Sequence, residues 1–541
     1  MKFRVALTAL AVVVQAGLGR AASAQRADSV ASAPTVGSEQ ERYERLLQIT
    51  GLARPYPLTV RALSPQDEQR LSPADTGHPW AGVDRASRVK HAGPVVWQAL
   101  PVRDQVFFNS AFPYGFNDGP VWAGRGLTES VDAGVAARWG VLSLQIDPMV
   151  FVAQNTAFAL AGSRRSGNAI YANAVRPGTI DLPQRFGPRS YARLDPGQTT
   201  LRVDVGPGSV GFSTADQFWG PAIESPLILG DNAAGFPNVF IGTAHPLDIG
   251  IGSVHGKAVY GRLEESPYAP PNAFGASRFA SGVVGEFTPR GAPGLEIGAA
   301  RFFHTPWPAD GITASDVFHP FEGILKKSLA TRTNQNGDDP EDNQLASVFF
   351  RWAMPASGME LYGEYGREDH NWDLRDLFMN IDHDAAYTLG LQRVWRRSAT
   401  KWYVLRGEVM NSRISHQAPS ENQESWYVHS PITQGHTELG QILGAPSGMG
   451  GGGSSISLDR YQPDGRWTVR LGREMQAELR GAGGLASPDS ADVMQSLGVE
   501  RLLKRSAMDL TFGATGVWDL NRNFGPDKFN LNLSFVASRH W

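Results

Sequence analysis

The sequence predicts an all-β protein: an eighteen-stranded antiparallel transmembrane β-barrel with a small N-terminal periplasmic α-helical bundle. Three observations predict it. After about residue 102, apolar and polar residues alternate, and the polar partners include full charges. The connections between alternating runs switch strictly between short turns and long loops. The chain also opens on an export signal and has no later run of about 18 apolar residues, the length a helix needs to span a bilayer.

The signal is Met1–Ala24. Lys2 and Arg4 form a basic start, Val5–Leu18 is apolar, and Ala22-Ser23-Ala24 is an A-x-A cleavage site. An uncleaved N-terminal anchor is the alternative, but the stretch is short and rich in small residues. Residues 25–101 are read as a flexible start followed by a periplasmic helical bundle or plug. Ser38-Glu39-Gln40-Glu41 is a capping box that opens a helix through Tyr43, Leu46 and Leu47 and stops at Gly51. Ser64-Pro65-Gln66-Asp67 starts a second short helix, and Trp80 to Val89 is a candidate third. Helices this short need a body to pack on.

Residues 102–541 are read as the barrel. The strands are 102–112, 129–139, 141–152, 200–205, 208–214, 237–244, 252–263, 280–289, 294–303, 344–354, 358–366, 385–395, 400–411, 451–460, 466–474, 493–503, 506–518 and 527–541. The last is the clearest: Phe529, Leu531, Leu533, Phe535 and Ala537 alternate with Asn530, Asn532 and Ser534, and the chain ends on Trp541. Arg202, Asp204 and Arg470 fall on polar faces, where a sandwich core would reject them and a wet lumen accepts them. Short turns on one side and long loops on the other are the outer-membrane pattern, periplasmic and extracellular respectively. An even strand count places both ends of the barrel in the periplasm.

Composition narrows the functions. The 541 residues contain no cysteine, which excludes a disulfide scaffold, an iron–sulfur site and thiol catalysis. A net charge of −3 offers no nucleic-acid footprint. No HExxH, GxSxG or Walker loop is present, so no catalytic residue, metal or cofactor is assigned. Gly448–Gly453 spells GxGxxG but precedes a strand and reads as a loop base. The run Asn334–Asp342 lacks the register of a calcium loop and reads as a solvated extracellular loop. His370 and His383 lack ligand spacing and read as surface residues.

Two segments carry a resemblance. Asp216-Gln217-Phe218-Trp219-Gly220-Pro221 is followed by Leu227-Ile228-Leu229, Asn232-Ala233 and Phe236-Pro237. Tyr427-Val428-His429 is followed by Gly435-His436-Thr437, Gly440 and Leu443-Gly444. The chain resembles the capsule assembly Wzi family, whose members carry a W-G-P segment, an apolar run and an N-A, then Y-N-H and G-Y-T. Val428, His436 and Ala445 depart from that pattern. The resemblance implies an eighteen-stranded outer-membrane barrel with a periplasmic helical bundle, acting as a surface lectin that helps organise capsular polysaccharide.

The candidate glycan contacts are Trp219, Asn232, Tyr427, His429 and His436. An exposed Trp stacks on the C–H face of a sugar, and amides and imidazoles bond hydroxyls. For each, the alternative is loop packing. Arg406 and Glu408 point inward by the alternation and are read as a lumen ionic network. The partners expected are surface polysaccharide, outer-membrane lipid and lipopolysaccharide, and the barrel-insertion machinery; the chain is read as a monomer. The leading function is non-enzymatic binding or organisation of surface polysaccharide. The alternative is a porin or substrate-specific channel, which requires an open, charged lumen.

Overall fold

The computed structural model describes residues 32–65, 67, 76–81, 89–161, 165–272, 274–321, 342–368, 379, 381–414, 425–429, 431–478 and 491–540. The signal Met1–Ala24, most of the Asn334–Asp342 run, His370 and Trp541 lie outside the described residues.

One large antiparallel sheet dominates the molecule. From Gly252–Glu264 through Ser277–Pro289, Leu295–Pro306, Asn343–Met354 and Met359–Glu368, each strand pairs with the next. The order continues through Ala385–Ser398, Lys401–Asn411, Gly452–Gln462, Gly465–Glu478, Ala491–Lys504, Met508–Leu520 and Lys528–Arg539. Lys528–Arg539 then pairs with Val102–Asn109, near the other end of the chain.

The first strands are split in two. Val95–Ala99 and Val102–Asn109 flank Pro101; Leu142–Ile146 and Met149–Ala153 flank Pro148; Tyr191–Asp195 and Thr200–Val205 flank Pro196. Proline has no amide to give the ladder, so each interrupts pairing. The fourth break, Ala133-Gly134, separates Gly126–Asp132 from Val135–Trp139, and a Cβ on Gly134 would stand 2.3 Å from the Ile146 carbonyl oxygen. The breaks are in register: Val135 faces Ala99 and Ile146, Asp132 faces Met149, and Met149 faces Asp195. Two expectations change here. Tyr191–Asp195 is a strand where the sequence reads loop, and among the described residues pairing in the large sheet begins at Lys90–Ala92, ahead of residue 102.

The two faces of the sheet differ as the alternation requires. Ile456 and Leu458 are 48% and 49% exposed, while Ser457 and Asp459 between and beside them are 4% and 0%. A face that is apolar and exposed backing one that is polar and buried is inverted relative to a soluble protein, and suits a lipid surround.

Buried against the polar face is the N-terminal segment. Helix Glu39–Ile49 starts at Ser38, whose Oγ accepts from the Glu41 amide at 3.3 Å. Its Tyr43, Leu46, Leu47 and Ile49 have no exposed surface and pack on Trp402, Val404, Tyr461 and Leu502, near the short turns. It is the only helix described in this segment. At the second expected helix, Asp67 accepts from the Ser64 amide at 2.7 Å, but residues 68–75 lie outside the described set. Most of the third expected helix lies outside it too, and Lys90–Ala92 with Val95–Ala99 form a hairpin beyond.

After the helix the chain runs on as a strap along the polar face. Leu58 N–H donates to Glu296 Oε2 at 2.9 Å and Thr59 Oγ1 to Glu286 Oε2 at 3.2 Å. Val60–Arg61 then pairs with Phe218–Trp219, so the loop at 214–237 dips inward to meet it.

Candidate functional site

Both motif segments fold against the strap and each other. Trp219 is 0% exposed; it meets the Phe302 ring edge-on at 6.0 Å between ring centres and belongs to a core with Leu227, Ile228 and Leu229. Gly220 has φ +93°, and a Cβ there would sit 2.9 Å from the Glu364 carboxylate. The second segment seals this core from above. Tyr427 is held at φ +68°, unusual for a bulky residue. Its hydroxyl donates to the Leu227 carbonyl at 2.7 Å and accepts from the Ala445 amide at 3.0 Å. His436 stacks on Tyr427 at 5.0 Å and bonds the Ile228 carbonyl through Nε2 at 2.6 Å. A Cβ on Gly448 would lie 1.8 Å from the Tyr427 ring, so only glycine fits beneath it.

The expected sugar contacts therefore divide. Trp219, Tyr427 and His436 present no face to solvent, so the stacking and hydroxyl-binding roles expected of them are corrected: their rings lie inside the apolar core of the two loops. His429 is nearly buried, and its Nδ1 accepts from the Ile432 amide at 3.2 Å, which fixes its own loop. Asn232 donates to the Ile442 carbonyl at 3.0 Å while remaining partly open. Burial pulls His436 down to about 3 and His429 to about 4, so both rings are neutral at ordinary pH.

Arg406 and Glu408 are both buried. Arg406 pairs with Asp459 at 3.1 Å and donates to Gln392 at 2.9 Å. Glu408 has a different job. It accepts the amides of Ile223, Glu224 and Ser225 at 2.8, 3.1 and 2.7 Å and the Tyr362 hydroxyl at 2.7 Å, tying down the loop at 214–237. A second ionic chain joins helix to wall: Arg45 pairs with Glu360 at 2.7 Å, Glu360 with Arg351 at 2.7 Å, and Arg351 with Glu296. Among the described residues no group of three or more His, Asp or Glu is arranged to hold a metal ion.

Three aspartates sit where the loops meet the strap. Asp118 and Asp216 are pushed up to about 7 by burial and by the neighbouring Asp231 charge. Asp231 is itself pushed up to about 7 by burial, against the pull of Arg61.

At the long-loop end a cleft of about 250 Å³ opens beside Asn232. One wall is aromatic: Tyr114, Phe116 and Trp122 are each partly exposed. Trp122 is fixed from behind by edge contacts to Phe186 at 5.1 Å and Tyr191 at 6.3 Å. Gln441, Arg522 and Asn523 also line the cleft. Gln441 spends its amide on the Gly119 and Asn232 carbonyls, both at 3.2 Å, and its oxygen bonds no described residue. The Asn523 side chain bonds no described residue. Asn521, Asn523 and Phe524 have φ of +54°, +51° and +59°, so this short loop holds Asn523 and Phe524 in the left-handed, strained region. Such strain recurs at binding sites.

A model of the family described as capsule assembly protein Wzi matches residues 116–478. The chain belongs to the Wzi family. Among solved structures it is similar to Wzi of Escherichia coli, described as an outer-membrane protein involved in group 1 capsule assembly and a carbohydrate-binding β-barrel. That likeness has a TM-score of 0.61 at 15% identity and covers 94% of this chain and 100% of that one. A BenF-like porin from Pseudomonas fluorescens Pf-5 scores 0.40 at 11% identity, over 84% and 100% of the chains. OccAB3 of Acinetobacter baumannii scores 0.41 at 9%, over 83% and 100%. A comparison with curated proteins found no match. This Wzi-family chain is thus an outer-membrane β-barrel, and its exposed apolar face is the lipid face.

The family motifs led to the scaffold of the loop end rather than to its open surface. The aromatic cleft residues lie in Pro113–Trp122, which places Tyr114, Phe116 and Trp122 among Gly and Pro in one long loop. That aromatic cluster was a signal the sequence carried, although the segment precedes both motifs.

Proposed function

We propose that this Wzi-family barrel binds surface polysaccharide at the long-loop cleft and so keeps it on the cell. The observation that carries the reading is the partly exposed aromatic wall of Trp122, Tyr114 and Phe116, which lines one cleft together with Gln441 and Asn523. Aromatic faces take the apolar side of a sugar and the amides take its hydroxyls. That the Escherichia coli relative is described as carbohydrate-binding supports it. Asn232 borders the cleft and is a contact in this reading, while Trp219, Tyr427, His429 and His436 hold the loops that shape it. Binding is non-enzymatic.

The barrel in this reading has eighteen strands. Joining the halves that flank each break, and leaving aside the short Lys90–Ala92 and Leu247–Asp248, gives that number, and the pairing of Lys528–Arg539 with Val102–Asn109 supports closure. Residues 1–24 are the signal, 25–101 the periplasmic helical part and plug, and 102–541 the barrel. The apolar face meets lipid and lipopolysaccharide, the insertion machinery assembles the chain, and it works as a monomer. The packed strap, helix and inward loop favour a closed lumen over a porin.

The test is a strain lacking this gene, complemented with wild type or Trp122→Ala. Wild type should restore cell-bound polysaccharide. Trp122→Ala, at equal outer-membrane abundance, should leave most of it shed. Unchanged retention in the deletion strain overturns the reading.

A further inference from the structure

A second cavity, of about 70 Å³, shares no lining residue with the loop-end cleft. It lies within the barrel between the strap at Ala62–Pro65 and wall strands Leu142–Ile146, Thr200–Val205 and Gly252–Glu264. Lys257 enters it half-buried. The ammonium donates to Gln217 Oε1 at 3.1 Å and stands 5.7 Å from the centre of the Phe240 ring. No carboxylate among the described residues pairs with it.

The charges around Lys257 are already committed. Arg202, on the same wall, donates to Asp204 at 2.7 Å and to the Ala244 carbonyl at 3.1 Å. Asp67, on the strap side, accepts from the Ser64 amide and hydroxyl, both at 2.7 Å, and from the Tyr56 hydroxyl. Lys257 is therefore a cation drawn out of bulk water with one neutral acceptor. A charge in that position is costly unless something of opposite sign completes it. The remaining wall mixes apolar Leu63, Leu144 and Ala215 with polar Ser143, Gln145 and Thr200, whose hydroxyl already bonds Ser213 at 2.7 Å. A space of about 70 Å³ admits a small oxyanion, since about 10–15 Å³ of it suffices for one water.

We infer that this cavity is an anion site that takes one carboxylate or phosphate group, with Lys257 as its counter-charge and Ser143 as a neutral donor. The carboxylate would come from an acidic sugar and the phosphate from a phosphorylated glycan or lipid headgroup. The site does not depend on the glycan reading of the loop end.

The test is calorimetric titration of the purified full chain in detergent at low salt, with glucuronate in one arm and inorganic phosphate in the other. At least one should bind saturably at one per chain. Binding of glucuronate alone assigns the site to a carboxylate, of phosphate alone to a phosphoryl group, and either supports the proposal. Affinity should fall at least tenfold in Lys257→Met and largely survive in Lys257→Arg, with the heat-modifiable gel mobility of a folded barrel unchanged. On wild type alone it should also weaken as salt is raised, because the attraction is ionic. No saturable binding in either arm, equal affinity in Lys257→Met, or an affinity indifferent to salt overturns the inference.

Discussion

Asp231 and His436 pull the stability of the loop end in opposite directions with pH. Asp231 moves from an ordinary 3.8 up to about 7 on folding. Between those values the folded chain holds a proton that the unfolded chain has released, so this contribution is full below about pH 4 and is lost as pH rises to about 7. His436 moves from 6.5 down to about 3. There the unfolded chain binds the extra proton, so its contribution is full above about 6.5 and is lost on acidification toward 3. Asp231→Asn removes one falling term and relieves Asp118 and Asp216 of a like charge. Between pH 4 and 6.5 its thermal midpoint should therefore climb more steeply than that of wild type. Parallel curves would show that the aspartate cluster does not titrate in this window. At this scale the sequence was least informative. Trp219 carries the same letters in a sugar platform and in a core, and only the inward turn of its loop, set by Arg61 and Val60 from far upstream, decides between them.

Among the elements, the loop at 214–237 depends on one wall carboxylate. Glu408 takes three successive amides of that loop, and no water-facing partner replaces it at 6% exposure. Glu408→Ala leaves those amides buried and unpaired, at a cost of about 1–3 kcal/mol for each group left unsatisfied. The loop should then be nicked by added protease at a concentration that spares wild type, while the barrel keeps its heat-modifiable mobility. Equal resistance would mean that the strap alone holds the loop. The strands themselves were legible because a two-residue period is local: 385–395 and 400–411 were read within a few residues of Ala385–Ser398 and Lys401–Asn411. Tyr191–Asp195 escaped because five residues ahead of Pro196 carry too little pattern. The inward face of Glu408 was also legible, although its partners were not, since they come from a distant loop.

Taken whole, the molecule is a wall with its own N-terminus packed inside. Helix Glu39–Ile49 and the strap bring Arg45, Leu58 and Thr59 to wall carboxylates Glu360, Glu296 and Glu286. In planar bilayers wild type should show no steady ion conductance. Deleting residues 32–65 should open stepwise current, because it removes the helix and bares those carboxylates to water. Large conductance from wild type would restore the channel reading. The sequence reads this segment as a helical bundle or plug that needs a body to pack on, but a capping box announces a helix without saying which wall residues it lies against.

The aligned interruptions at Pro101, Ala133-Gly134, Pro148 and Pro196 have a mechanical consequence. A ladder resists bending because its rungs are hydrogen bonds, and here the regular ladder gives way at one level across four neighbouring runs of chain to single bonds such as Leu100 N–H to the Gly134 carbonyl at 2.9 Å and Gln198 N–H to the Asp147 carbonyl at 3.1 Å. The wall is creased along that line. Within those four runs the sheet can turn between the lower halves and the upper halves that lead to Trp122, while the continuous strands that grip the helix carry no such break.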